Sequence, residues 1–143
     1  LHDIARSLKR KNVSEFVREN EHHTIGAEDA KKFLKEYGYN DEFIEKVASC
    51  VLTHRGRAGP APETFEAEIV ANADAMAHFD TFLDLIPIFI RTSEGSFKNA
   101  IIELDNKMDR DWNKKLTLPK AKEIVKDKYQ AIKLLLKSMK EYL

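Results

Sequence analysis

Residues 22–38, HHTIGAEDAKKFLKEYG, carry the reading that decides the fold. From Gly26 onward the apolar residues Ala27, Ala30, Phe33, Leu34 and Tyr37 recur at three- and four-residue intervals. That is the period of an amphipathic helix and not of a strand. Gly38 stands where such a helix would stop, because glycine accepts the left-handed backbone of a helix C-terminus. His22 and His23 are placed at the opening of this helix, held rigidly and facing a cleft.

The same period continues on the C-terminal side. Asn40 or Asp41 is suited to cap a second helix carrying Phe43, Ile44, Val47 and Val51, with His54 near its end. Residues 55–62, with two glycines and two prolines, read as a loop. A long helix is expected from near Glu63 through Ile69, Val70, Ala73 and Met76, kinked or broken at Pro87. Ser93, Gly95 and Ser96 punctuate the chain before a helix over roughly Phe97 to Lys114. Thr117 and Pro119 then open a last helix, since proline is tolerated in a first turn. Its expected apolar stripe is Ile124, Val125, Tyr129, Ile132, Leu135, Leu136 and Met139. No segment alternates as a strand would, so the fold class read from the sequence is all-α.

The 143 residues suit one domain with a core of its own. Its boundaries are read as 1–143, with residues 1–80 as a motif-bearing core and 81–143 as a helical extension. Lys+Arg and Asp+Glu balance at 24 each, which speaks against a nucleic-acid polymer or an anionic membrane as partner. Phe82 to Ile90 is the most apolar stretch, and it is too short to span a bilayer. The single cysteine, Cys50, excludes an intrachain disulfide. It reads as a small core residue of a protein in the reducing cytoplasm. The Lys/Glu-rich helices after His78 read as scaffold, packing on the first part or on a second copy in a homo-oligomer.

The residues suited to chemistry lie at or before His78. His2 and Asp3 put a nitrogen and a carboxylate side by side among Leu1, Ile4, Ala5 and Leu8, and a buried carboxylate requires a cation or several donors. His54 precedes Arg55 and Arg57, whose planar guanidinium forks suit phosphate oxygens. Asp74 sits within an alanine-rich helix near Asn72, with His78 one turn beyond on the same face. Each has a plainer alternative: a surface His-Asp pair, a capping histidine, an imidazolium satisfying a helix C-terminus, an ordinary helix-surface aspartate. The set together suits a hydrolytic centre holding Mn, Fe, Co, Ni or Zn, or Mg if carboxylates and water dominate.

His2-Asp3, then His22-x-x-x-Gly26-Ala27, then Thr53-His54-Arg55-Gly56, then Ala73-Asp74 on a long helix resemble, in that order, the HD superfamily of metal-dependent phosphohydrolases. The likeness runs from Leu1 to about Asp80. It implies a compact helical bundle with added C-terminal amphipathic helices. It implies one or two divalent metal ions, with His2, Asp3, His22, His54 and Asp74 as ligands, and hydrolysis by metal-activated water. Asp3 would bridge two ions where a second is bound; in other branches the two later histidines contact substrate phosphate. Asp3, His22 and His54 are therefore the expected catalytic residues. Arg6, His23, Arg55, Arg57, Asn72 and His78 are the expected contacts to a small phosphate ester or nucleotide.

The family also has a His ligand on a helix ahead of the His-Asp pair. The sequence opens at Leu1, so that ligand is expected in a preceding segment, or else the site is one ligand short. Tyr37-Gly38-Tyr39 departs from the Gly-Tyr-Pro signature of cyclic-di-GMP phosphodiesterases. Ile4-Ala5-Arg6 departs from the acidic run of stringent-response hydrolases. The His22 and His54 blocks look closest to the two-metal branches, which include dinucleoside tetraphosphatases. The rival expectations are a catalytically silent module of the same fold that senses a ligand or dimerises, and a plain helical interaction domain whose histidines are structural.

Overall fold

The computed structural model describes residues 2–4, 15–55 and 60–143, with residues 15–20 described through their backbone. Six α-helices account for most of them: α1 (Glu15–Glu36), α2 (Asp41–Thr53), α3 (Phe65–Asp80), α4 (Phe82–Thr92), α5 (Phe97–Arg110) and α6 (Pro119–Lys140). A π-helical turn, Asp111–Lys115, follows α5. No strand occurs among the described residues, and the fold is all-α as the sequence predicts. None of the described helices is long and apolar enough to cross a membrane. The chain divides into two compact units, residues 1–71 and 72–143.

In the first unit α1 and α2 form a helical hairpin. Gly38, at φ 78°, ends α1. Its N–H bonds the Lys35 carbonyl and the Tyr39 N–H bonds the Leu34 carbonyl, so the freed carbonyls of the last turn are satisfied. Asn40 caps α2, its side-chain oxygen accepting from the Phe43 N–H at 2.9 Å. Ala27 and Ala30 on α1 meet Ala48 and Val51 on α2, and side chains this small let the helices approach closely. Lys31 pairs with Glu45 across them at 2.8 Å. The opening of α1 differs from expectation. The helix begins at Glu15, so His22 and His23 lie within it and not at its start. Residues 15–21 contain no glycine or proline to stop the helix before the histidines.

Helix α3 opens on Thr64, whose hydroxyl accepts from the Ala67 N–H, and it buries Ala67, Ala71, Ala75 and Phe79 along one face. The expected break at Pro87 falls instead at Thr81. The Thr81 hydroxyl and N–H both bond the Ala77 carbonyl, which closes α3. Pro87 is accommodated inside α4.

In the second unit Phe79, Phe82, Ile101, Leu104, Met108, Leu116, Val125, Ile132 and Leu136 form the core. Trp112 stacks flat on Tyr129 with ring centroids 4.4 Å apart. The apolar stripe of α6 is narrower than its sequence suggests, since Ile124 and Leu135 are exposed. Pro119 lies in the first turn of α6, as expected. Leu118, at the N-cap, brings no side-chain acceptor. Asn72 supplies one: its oxygen accepts from the Thr117 and Leu118 N–H groups at 3.0 and 3.1 Å, and its amide donates to the Thr117 hydroxyl. These are the donors a helix start leaves open.

One polar cluster lies inside this unit. Asp111, fully buried, accepts through Oδ2 from His78 Nδ1 at 2.8 Å and from Lys107 Nζ at 2.9 Å. Burial pushes the Asp111 carboxyl up, but the hydrogen bond from His78 and the charge of Lys107 outweigh it and hold the group at about 2, against an ordinary 3.8. A carboxylate whose folded pKa is depressed stabilises the fold above its unfolded pKa. That stabilisation is lost as pH falls through the folded value. Asp111 is therefore expected to contribute about 2 kcal/mol near neutrality, lost between about pH 4 and pH 2. Urea melts of wild type and Asp111→Asn across that range check this: the gap between them should close on acidification, and a constant gap would contradict it.

Candidate metal centre

The candidate site is built in the first unit from three separate segments. Asp3 comes from the stretch 2–4, His22 from the middle of α1, and His54 from the end of α2. His22 Nε2 lies 3.5 Å from Asp3 Oδ1, and His54 Nε2 lies 3.7 Å from the same oxygen. The three ligand atoms fall within 4.8 Å of one another. Both imidazoles are almost wholly buried, while the Asp3 side chain keeps 40% of its surface. Asp3 Oδ1, the oxygen both histidines face, is itself buried, so the cluster is closed around that atom and only the rest of the Asp3 side chain is open.

The end of α2 explains the orientation of His54. The last carbonyls of a helix have no partner within it. His54 Nδ1 lies 2.6 Å from the Val51 carbonyl. A carbonyl can only accept, so Nδ1 carries a proton towards Val51, and in the neutral ring the Nε2 lone pair then faces Asp3. Two electron-rich atoms facing each other at this separation favour a cation between them. A metal-bound imidazole commonly donates its other N–H to a carbonyl or carboxylate in this way.

The spacing permits a direct test of fit. Bonds of about 2.0–2.2 Å to an ion put neighbouring donors about 3.0 Å apart in an octahedron and about 3.4 Å apart in a tetrahedron. The observed 3.5 and 3.7 Å lie slightly beyond the tetrahedral edge and are long for hydrogen bonds. Two imidazole nitrogens and a carboxylate oxygen are also the donor set of many divalent transition metals. The residues fit a metal ion.

Around the triad, His2 Nε2 stands 3.8 Å from the other carboxylate oxygen of Asp3, and the His2 ring lies 5.3 Å from that of His54. His2 is half exposed and flanks the open side. The His23 ring lies 5.9 Å from His22, and its Nδ1 is buried with no hydrogen-bond partner among the described residues. Burial holds the His23 pKa down, and the neighbouring Arg55 and His54 add to this against Glu21. Arg55, directly after His54, is half-buried. Arg6 and Arg57 lie outside the described residues.

Three expected site residues belong to the second unit. Asp74 forms an ion pair with Lys115 at 2.9 Å. His78, one turn further along α3, is engaged with Asp111 and also lies 3.1 Å from Lys107 Nζ. Asn72 holds the chain ahead of α6. The structure brings together Asp3, His22 and His54, which the sequence had singled out, and it adds two contacts that the sequence did not announce. One is the Val51 carbonyl, which is invisible in a pattern of side chains. The other is Lys115, whose contact with Asp74 spans 41 positions and leaves no local signal.

The family model of the HD domain matches residues 1–78. No curated protein and no solved structure matches the chain significantly.

Proposed function

The chain belongs to the HD domain family, and on that premise we propose that it is a metal-dependent phosphohydrolase acting on a small phosphate ester or nucleotide. The observation that carries this reading is the convergence of Asp3, His22 and His54 from three segments on one point. One or two divalent ions of the Mn, Fe, Co, Ni, Zn or Mg series are the expected cofactor, with His2 as a further ligand on the open side. A divalent ion there supplies Lewis acidity, lowering the pKa of water and polarising a phosphoryl oxygen.

The chain's own residues supply the rest. Burial of His22 and His54 keeps water from competing for their nitrogens, and the Val51 carbonyl fixes which nitrogen of His54 is offered. Arg55 presents a guanidinium fork suited to phosphate oxygens. His23, buried beside Arg55 and His54, offers a ring nitrogen to the same group. The exposed flank of Asp3 leaves a way in for substrate. A lone cysteine and balanced charge support a cytoplasmic setting with no nucleic-acid polymer as partner, and the C-terminal helices offer a route to a homo-oligomer.

A second reading is a catalytically silent module. The observation behind it is that Asp74, which the family resemblance gives to the metal, has its Oδ2 paired with Lys115 at 2.9 Å. Metal analysis of the purified chain, followed by a panel of nucleotides and phosphate esters, separates the two. Roughly one or more ions per chain with metal-dependent phosphate release supports the hydrolase. Metal-loaded protein without release on any member of the panel supports the silent module.

A further inference from the structure

One residue touches all three segments that build the cluster. Gly26 lies on α1 four residues after His22, one turn along the same face. A Cβ placed on it would stand 3.3 Å from Val51 Cγ1, 3.6 Å from the His2 carbonyl oxygen and 3.7 Å from Ile4 Cγ2. Val51 is the residue of α2 whose carbonyl orients His54, and His2 and Ile4 flank Asp3. A methyl group at position 26 would therefore press where α1, α2 and the stretch 2–4 meet. The contact with Val51 is the tight one. That side chain is 3% exposed and packed among Ala27, Ala30 and Ala48, so it has little room to retreat.

We propose that Gly26 is a positioning residue for the Asp3–His22–His54 cluster, its missing side chain setting how closely the three segments converge. The inference rests on the metal-centre reading for its consequence, but the geometry it concerns exists without an ion. Glycine is otherwise a poor choice inside a helix, where alanine is intrinsically favoured. Closeness at this point is the compensating gain. The substitution Gly26→Ala should move Val51, and with it the carbonyl that holds the proton of His54 on Nδ1.

The test uses the full chain with 15N-labelled histidine and two variants, Gly26→Ala and Gly26→Ala/Val51→Ala. Without metal, above the pH at which the imidazoles lose their second proton, wild-type His54 should show a single tautomer protonated on Nδ1. Gly26→Ala should show a mixture. With Zn or Mn titrated in, Gly26→Ala should bind roughly tenfold or more weakly, the size of effect seen when the support of a metal ligand is disturbed. The double variant, which removes Cγ1 opposite the new methyl, should recover most of that affinity although its smaller core lowers Tm. A merely structural role predicts the reverse, with affinity following Tm and no recovery in the double variant. That result, or an unchanged His54 tautomer in Gly26→Ala, overturns the proposal. Should wild type take up no metal, the metal-centre reading fails by itself, and the tautomer arm still decides on Gly26. Should Gly26→Ala fold poorly, the double variant carries the comparison: a restored single tautomer supports the proposal and a persistent mixture overturns it.

Discussion

Asp3→Ala is expected to abolish stable metal binding and to lower phosphohydrolase activity by roughly a thousandfold or more. Asp3 Oδ1 is the atom on which both buried imidazoles converge, so its removal takes the only anionic donor from the triad. Disturbing the supports of a ligand already costs about 10- to 100-fold in affinity, and loss of the ligand itself should exceed that. The drop in rate would follow because a bound ion's lowering of the pKa of water would be lost with it. Asp3 is partly exposed and lies outside the hydrophobic clusters, so the metal-free variant should melt close to metal-free wild type. Metal titration, phosphate release and thermal melts on the same preparation separate the two effects. Activity that survives the substitution would sink the mechanism.

The second large effect concerns stability. Asp111→Ala should destabilise the second unit by about 3–5 kcal/mol, because it leaves a buried ammonium without its counterion. Burial already pulls the Lys107 pKa down against the favourable field of Asp111. Once that field is removed, the cost of keeping the charge inside has nothing to offset it. His78 loses its hydrogen-bond partner at the same time. Replacing both partners, as Asp111→Ala/Lys107→Met, should recover much of the loss, since a buried pair exchanged for apolar groups is often neutral or better. Urea denaturation of the single and double variants measures this. A single-variant loss below about 1 kcal/mol would show that the ion pair is not held as described.

Much of this was legible in the sequence because it is written in local periods. The hairpin of α1 and α2 follows from Ala27, Ala30, Leu34, Ile44, Ala48 and Val51 at helical spacing, with Gly38 and Asn40 marking its turn. The triad was legible because HD-type blocks occur in order, and family membership over residues 1–78 agrees with that reading. Boundaries that depend on competition between neighbours were less legible. Pro87 is the stronger breaker by composition, yet Thr81 closes α3 because its hydroxyl can reach the Ala77 carbonyl. His22 and His23 lie inside α1 because helix formers precede them.

Contacts over long sequence separations were not legible at all. Asp74 carries the family's pattern, but its ion pair with Lys115 depends on a π-helical turn that no periodicity announces. The same turn brings Asp111 to His78, which gives that histidine an observed partner quite different from a phosphate. Asn72 likewise faces the backbone of Thr117 and Leu118. Side-chain chemistry can be read residue by residue, whereas the partner that occupies it is set by the path of the chain.

Divalent-ion stoichiometry and affinity of the purified full chain beside His54→Ala test the metal centre most directly. His54 is the candidate ligand whose orientation is fixed by a named hydrogen bond, Nδ1 to the Val51 carbonyl, so its removal should act first on the ion. A metal centre at Asp3, His22 and His54 predicts roughly one or more ions per wild-type chain and affinity weakened by about 100-fold or more in His54→Ala. Equal binding by the two proteins, or none by wild type at millimolar metal, would contradict it.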